Sequence, residues 1–269
     1  MSSGVKKSLP KLPSGILFYG DPHGEWRPLI NAVIEHEPAA VVILGDCGLD
    51  QPLQQKLSEI WDFVPRWKWI LGNHDVDSIA EYELLADGSP GGDLGSRWVQ
   101  LDGKIIAGLG GVYQTKVWYP KFGGGNDEPP QYLTRREMTK KTVRAERFRG
   151  GVPLSCKATI FPEDHAALKG IRAEVFVCHE APTSYKHGFA AIDELARDLG
   201  ARLIVHGHHH HSYEGHTRDG IFVRGLGIAE PWLWGYGIHT FDWVARTKPA
   251  AIEANRAHPA RMVFGPGGL

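Results

Sequence analysis

Histidine fills five of the six positions from His206 to His211, within the internal stretch VHGHHHHSY at 205–213. The apolar residues ARLIV before it predict a short β-strand, and side chains two residues apart on an extended chain point to the same face. We therefore expect His208 and His210 to converge, with His206 on the same side, as imidazoles suited to bind a metal ion. A His-rich tract alone is weak evidence for such a site, because these tracts also lie in solvent. The other ligands must come from elsewhere in the chain.

The chain before this tract alternates short apolar runs with amphipathic stretches. The first half reads ILFYG, EWRPLINAVIEHE, AAVVILGD, PLQQKLSEIWDFV and WKWILGNHD, which predicts strand, helix, strand, helix, strand. A hairpin-like WVQLDGKIIAGLGG follows, and the second half then has a similar order up to ARLIVHGHHH. Such alternation is typical of an α/β layered fold.

Polar residues able to bind a metal follow each of the five main predicted strands. They are Asp21 and His23, Asp46, Asn73 with His74 and Asp75, His179, and His208 with His210. In open α/β sheets, ligands bind beyond the carboxyl ends of the strands, so these residues should meet at one site. Carboxylate, amide and imidazole groups together suit manganese, iron or zinc.

The ordered blocks D-x-H, G-D, G-N-H-D, H and G-H-x-H resemble the pattern of the calcineurin-like metallophosphoesterase superfamily. Each block is weak alone, but all five occur here in order and each follows a predicted strand. The resemblance covers residues 16–243 apart from an insertion. It implies a four-layer α/β/β/α sandwich, two divalent metal ions and hydrolysis of a phosphoester through a metal-bridging hydroxide.

The resemblance also implies a role for each residue. One metal would be held by Asp21, His23 and His210, a second by Asn73, His179 and His208, with Asp46 bridging both. His74 is then the catalytic residue, which stabilises the transition state or protonates the leaving oxygen. Asp75 either orients His74 or caps the next helix, and Asp77 is a second candidate for that cap.

One departure from the family pattern concerns the substrate. Phosphoprotein phosphatases and dinucleoside-tetraphosphate hydrolases carry an arginine soon after G-D, where this chain has CGLDQ (47–51). The phosphoprotein phosphatases carry a second arginine shortly after G-N-H-E, where this chain has VDS (76–78). Those guanidinium groups bind the extra charge of a monoester. Their absence favours a phosphodiesterase over a phosphomonoesterase or protein phosphatase. Asp50 lies one position later than the aspartate that supports the catalytic histidine in that subgroup, so the support of His74 stays open.

A non-catalytic metal-binding scaffold is a less favoured alternative, because such members usually lose ligands or the G-N-H histidine. The histidines outside the pattern have open roles: His206 either packs in the core or supports the metals from beneath, and His209 and His211 face solvent or substrate. Cys47 and Cys178 adjoin predicted ligands but are expected to be small buried hydrophobes. The stretch EPWLWGYG (230–237) either lines a substrate pocket or packs in a hairpin.

The predicted domain organisation is a flexible leader (1–15), a metallophosphoesterase domain (16–244) with an insertion or cap (114–170), and a C-terminal tail (245–269). GGGNDEPP at 123–130 is typical of a linker. Thr134 predicts the start of a helix that Gly150 and Gly151 can end. On it, Arg136, Lys140, Arg144 and Arg147 form one basic face, either solvated or a contact for nucleotides or nucleic acid.

Amino-acid composition limits the classes of protein and of partner that the chain fits. The 269 residues carry a formal net charge of -1, with 42% hydrophobic residues, which fits one globular domain and gives no global argument for nucleic acid or an anionic membrane as partner. Three cysteines without CxxC spacing argue against a disulfide framework. No signal peptide or membrane-spanning run is evident, so we expect a cytoplasmic protein. The sequence leaves the oligomeric state open.

Overall fold

A computed structural model describes residues 13–120 and 129–235. In chain order, its strands and α-helices are β1 (Ile16–Gly20), α1 (Arg27–His36), β2 (Ala40–Ile43), α2 (Leu53–Lys56), β3 (Trp67–Trp69), α3 (Ile79–Ala86), β4 (Arg97–Leu101), β5 (Lys104–Leu109), α4 (Arg135–Lys141), α5 (Pro162–Leu168), β6 (Val175–Cys178), α6 (Ala190–Leu199), β7 (Leu203–His206), β8 (Tyr213–His216), β9 (Phe222–Gly225) and β10 (Glu230–Trp234). Among these residues, no helix has the length and apolar character needed to cross a membrane. The predicted tail and most of the predicted leader lie outside the described residues, as does most of the GGGNDEPP linker.

The strands form two sheets, ordered β10-β1-β2-β3 and β4-β5-β6-β7-β9-β8. In the first sheet β1, β2 and β3 are parallel, and β10 is antiparallel to β1. In the second, β5, β6, β7 and β9 are parallel, with antiparallel β4 and β8 at the edges. The carboxyl ends of both parallel sets meet at one edge, where the carbonyl of Leu44 after β2 lies 2.7 Å from Nδ1 of His179 after β6.

Three apolar cores hold the layers together. Phe18 and Val42 of the first sheet share a buried core with Val177 and Val205 of the second. The outer face of the first sheet packs on α1 and α2, and that of the second on α6 and the end of α5. Strands buried on both faces have continuous apolar sequences, as AVVI does in β2. This is the α/β/β/α sandwich that the sequence predicts.

Local sequence signals account for most element boundaries. Helix α6 ends at Gly200, which has a left-handed φ of 70°. The predicted hairpin turns at Asp102 and Gly103, with φ of 44° and 74°. The predicted helix over PLQQKLSEIWDFV is wrong in length, since α2 ends at Lys56 and a 3-10 turn follows at Trp61–Phe63. There Trp61 stacks on Trp67, with ring centroids 5.0 Å apart, which fixes the chain outside a helical path.

The insertion contains the predicted helix start but not its predicted end. The hydroxyl of Thr134 accepts a hydrogen bond from the Glu137 amide at 3.1 Å, as a capping residue should. The helix ends at Lys141, well before Gly150, because the chain then turns back to bury Val152 beside Met138 in a small satellite core. Arg144 lies in a separate 3-10 turn. The prediction of one continuous basic helical face is therefore wrong.

Candidate metal centre

Acidic and imidazole side chains meet at the carboxyl edge of the two sheets. Two groups have ligand atoms within 4.8 Å of one another: Asp21, His23, Asp46 and His210 form the first, and Asp46, His179 and His208 the second. Asp46 belongs to both groups. Oδ1 of Asn73 lies 3.1 Å from Nε2 of His179, beside the second group. The structure thus brings together all seven residues that the sequence predicts as metal ligands.

The nitrogen atoms of the first group face one another. Nε2 of His23 lies 2.9 Å from Nε2 of His210 and 3.7 Å from Oδ2 of Asp46. Nε2 of His210 lies 3.8 Å from Oδ1 of Asp21. With their protons on Nδ1, both rings would direct an Nε2 lone pair at a cation bound between them.

The second group contains a histidine ring of fixed orientation. Nδ1 of His179 lies 2.7 Å from the carbonyl oxygen of Leu44, which can only accept a hydrogen bond, so Nδ1 carries the proton. Nε2 of His179 then faces Oδ2 of Asp46 at 3.4 Å. A backbone carbonyl behind a histidine is a usual arrangement around metal ions, because it fixes the ring orientation.

Left-handed backbone conformation explains why these side chains converge. The φ angle is 43° at Asp21, 43° at His23, 54° at Asp46, 70° at His208 and 53° at His210. Such conformations cost about 1–3 kcal/mol each in residues other than glycine and cluster at functional sites. They also correct the strand argument for the histidine tract. Strand β7 ends at His206, so His208 and His210 converge through turns rather than strand alternation.

Two glycines allow the loops to lie against the carboxylates. A Cβ atom on Gly72, before Asn73, would sit 2.1 Å from Oδ1 of Asp46. A Cβ atom on Gly207, before His208, would sit 2.4 Å from Oδ2 of Asp21. The first residue of G-N-H and of G-H-x-H must therefore lack a side chain for the candidate ligands to come together.

The centre fits divalent cations by its buried charge. Oδ2 of Asp46 is buried and has no hydrogen-bond partner among the described residues, although a buried carboxylate oxygen without a hydrogen bond is costly. Burial raises the pKa of Asp21 to about 7, and burial together with the charge of His179 lowers the pKa of His208 to about 4. Burial therefore disfavours the charged form of both side chains. A cation bound between the carboxylates and the imidazoles would favour the carboxylate form of Asp21 and the neutral form of His208.

Comparison with known proteins identifies the family. The sequence model of the calcineurin-like phosphoesterase family matches residues 15–212. The chain belongs to this family. An uncharacterized protein of Haemophilus influenzae is 34% identical over 214 residues, which cover 79% of this chain and 91% of that protein. The crystal structure of TT1561 of Thermus thermophilus is similar in fold, with a TM-score of 0.50 and 13% identity over 83% of this chain and 99% of that chain.

Calcineurin-like phosphoesterases use divalent metal ions. Membership of the family and the Asp and His groups at the strand ends together support a metal-dependent phosphoesterase.

His74 lies at the rim of the centre. Its amide donates a hydrogen bond of 2.8 Å to Oδ1 of Asp46, and its ring centroid lies 5.6 Å from that of His23. Nδ1 of the ring lies 2.7 Å from Oδ2 of Asp77. Partial burial lowers the pKa of His74, but the hydrogen bond to Asp77 and the charge of Asp46 raise the pKa by more. The net shift of the pKa is therefore upward.

Asp75 has neither of its two predicted roles. Its buried carboxylate accepts hydrogen bonds from the amides of Gly72, Asp46 and Cys47, at 2.8, 2.9 and 2.7 Å. It therefore ties the loop after β3 to the loop after β2. Neither Asp75 nor Asp77 caps α3, because the hydroxyl of Ser78 accepts from the Glu81 amide at 3.1 Å.

Asp50 does not support His74. Its exposed carboxylate lies 2.9 Å from Nζ of Lys56. Asp77 supports the ring of His74 instead, although the sequence pattern favoured Asp77 only as a helix cap.

The remaining candidates are mostly packing residues. His206 is buried, with Nε2 2.8 Å from the hydroxyl of Tyr213 and Nδ1 2.9 Å from the carbonyl of Gly207. Cys47 and Cys178 are buried free thiols, as predicted. Trp232 of β10 stacks on Phe18, with ring centroids 5.8 Å apart, which supports core packing for this part of EPWLWGYG.

Sequence patterns missed one carboxylate beside the centre. Glu180 is 3% exposed, and its Oε1 lies 3.7 Å from Nε2 of His209. With His208 and His209 it forms a third group of ligand atoms within 4.8 Å. The available signal was its position directly after His179, in the order H-E.

Proposed function

We propose that this calcineurin-like phosphoesterase hydrolyses phosphodiesters with two divalent metal ions. We assign Asp21, His23 and His210 to one ion, Asn73, His179 and His208 to the other, and Asp46 to both. Manganese is the preferred metal, with iron or zinc as alternatives, because the donors mix oxygen and imidazole nitrogen.

The observation that carries this proposal is the position of Asp46. Its Oδ2 atom is buried without a hydrogen-bond partner among the described residues, 3.7 Å from Nε2 of His23 and 3.4 Å from Nε2 of His179. Its Oδ1 atom is already used by the His74 amide. One free carboxylate oxygen between two sets of imidazoles is what a shared ligand requires.

Two divalent cations, when bound, lower the pKa of a water molecule and polarise the phosphoryl oxygens. The chain supplies the remaining chemistry. His74 faces the first group, and Asp77 holds its Nδ1, so Nε2 is directed to the substrate. In the imidazolium form, which the Asp77 carboxylate stabilises, the ring keeps the proton on Nδ1 and donates the proton on Nε2 to the leaving oxygen. The buried carboxylate of Asp75 keeps the loops of Asp46 and His74 in register.

The preference for a diester rests on the missing arginines. Neither CGLDQ nor VDS supplies a guanidinium group for the second charge of a monoester. We propose a nucleotide or a nucleic acid as the substrate. Three buried cysteines without disulfides suit a reducing compartment, so we place the protein in the cytoplasm.

Hydrolysis by metal-reconstituted protein tests the proposal. We expect the specificity constant for bis(p-nitrophenyl) phosphate to exceed that for p-nitrophenyl phosphate. A protein that turns over only the monoester would be a phosphomonoesterase, and the diesterase proposal would fall. If metal binds and neither ester reacts, a non-catalytic scaffold becomes the better interpretation.

A further inference from the structure

Five aromatic and imidazole rings gather on the loops after β6 and β7 and at the start of β8. They are Tyr185, His187, His209, His211 and Tyr213, here called the ring platform. Tyr185 is at its centre, stacked on His209 with ring centroids 4.3 Å apart and planes at 23°. The centroids of His187, His211 and Tyr213 lie 5.9, 6.1 and 5.8 Å from that of Tyr185.

The ring platform is next to the candidate metal centre. His209 lies in sequence between the proposed ligands His208 and His210, and its ring centroid is 4.6 Å from that of His208. Tyr185 is therefore two ring contacts from a metal ligand. A group attached to a phosphate at the centre can reach the platform without any change of fold.

Buried groups hold the platform in place. The hydroxyl of Tyr213 lies 2.8 Å from Nε2 of the buried His206 and 3.0 Å from Oγ of Ser184, next to Tyr185. A Cβ atom on Gly225 would sit 2.2 Å from Cε1 of Tyr213, so the ring packs directly on strand β9. Rings fixed before binding lose little conformational entropy when a ligand stacks on them.

Core packing alone does not account for these residue types. His187 and His211 are exposed, Tyr185 is partly buried, and the side chain of His209 is 19% exposed. Aliphatic residues would pack as well at the partly buried positions. The platform combines flat faces with imidazole and phenol hydrogen-bonding groups, which suits a planar ring that also has polar edges.

We propose that the ring platform binds the base of a nucleotide substrate. This inference rests on the proposed phosphodiesterase activity and adds to it the residues that recognise the nucleobase of the substrate. Stacking of a base on an aromatic side chain contributes about 1–3 kcal/mol and tolerates different bases. The expected preference is therefore for nucleotides as a class rather than for one base.

Two diesters with the same leaving group test this proposal. They are the p-nitrophenyl ester of thymidine 5'-monophosphate and ethyl p-nitrophenyl phosphate. In the unmodified protein, the thymidine ester should have the higher specificity constant. Tyr185→Ala should lower the ratio of the two constants about tenfold, as loss of one stacking contact predicts, and leave the ethyl ester within about twofold. Tyr185→Phe keeps the stacking face and should keep the ratio.

A second pair of variants covers the case in which Tyr185→Ala does not fold. His211→Ala removes an exposed ring of the platform and should lower the same ratio, whereas His216→Ala removes an exposed ring near the far end of β8 and should not. Calorimetric binding of thymidine 5'-monophosphate should weaken in the His211 variant in parallel. Equal constants for the two esters in the unmodified protein, or equal loss of both in the platform variants, would overturn the proposal. If neither ester is hydrolysed, that result would instead contradict the phosphodiesterase assignment.

Discussion

Nδ1 of His74 lies 2.7 Å from Oδ2 of Asp77, three residues further along the chain. Both side chains are about half exposed, at 53% and 59%. A carboxylate at this distance makes Nδ1 the protonated nitrogen and leaves Nε2 for the substrate. Asp77 therefore orients His74 as the carbonyl of Leu44 orients His179.

Asp77→Asn should lower kcat about tenfold or more, because a neutral amide no longer stabilises the imidazolium form of His74 that donates the proton. His74→Ala should lower kcat further, by about 100-fold or more, since it removes the proton donor itself. Neither side chain is a proposed ligand, so bound metal per chain should stay unchanged in both variants. Steady-state kinetics with metal analysis by atomic emission would measure this.

Asp50→Asn is the matched control for Asp77→Asn. Asp50 is an exposed carboxylate on the loop after β2 and is paired with Lys56 rather than with His74. Its variant should therefore keep full kcat. If Asp50→Asn were the damaging change and Asp77→Asn were silent, the orientation of His74 would not come from Asp77.

The elements that carry the site could be predicted from sequence because each strand end has a polar block. The convergence of Asp21, Asp46 and His179 follows from the rule that parallel strands end at the same edge. The paths of His208 and His210 could not be predicted, because a left-handed φ in residues other than glycine has little sequence signal. Strand alternation gave the right convergence there for the wrong reason.

Short-range patterns failed where tertiary contacts decide. The role of Asp75 depends on the contact between two loops, which spacing along the chain does not contain. Helix α4 ends at Lys141 because Met138 packs with Val152, and a basic periodicity does not encode that contact. Glu180 was missed because a carboxylate beside a histidine is common in sequences.

Metal binding should depend on the shared carboxylate. Asp46→Ala removes the only ligand proposed for both ions and should reduce bound metal more than His208→Ala, which removes a ligand of one ion. Cations that bind only the folded state raise its melting temperature, so the rise on adding manganese should shrink in the same order. Metal content and thermal melts would both report this. Full metal content in Asp46→Ala would remove the basis for a bridging role.

Asp75→Asn should destabilise the fold and weaken metal binding. The carboxylate accepts three backbone hydrogen bonds at full burial, and an asparagine side chain has only one acceptor oxygen and would direct an NH2 group at an amide donor. Charged hydrogen bonds contribute about 1.5–3 kcal/mol each, so we expect a loss of about 2–4 kcal/mol in the free energy of unfolding. Urea unfolding would measure it, with Asp50→Asn as control. An unchanged midpoint would show that the loops are held by other contacts.

His165 should make the stability of the fold depend on pH. Burial lowers its pKa to about 4 from an ordinary value of 6.5, and Nε2 lies 2.8 Å from the hydroxyl of Tyr113. As the pH falls from 6.5 toward 4, the unfolded chain binds a proton here that the folded chain does not, so the free energy of unfolding decreases in that window. His165→Gln keeps a hydrogen-bonding group without this proton.

We expect the loss of unfolding free energy between about pH 7 and about pH 4.5 to be smaller by about 2 kcal/mol in His165→Gln than in the unmodified protein. Urea unfolding in the presence of a chelator would isolate this effect from the pH dependence of metal binding. His216→Gln, at an exposed position on β8, should show the unmodified loss. If the free energy of unfolding falls equally with pH in the two variants, His165 must be protonated in the folded state over this range. Its contact with Tyr113 would then survive the added charge.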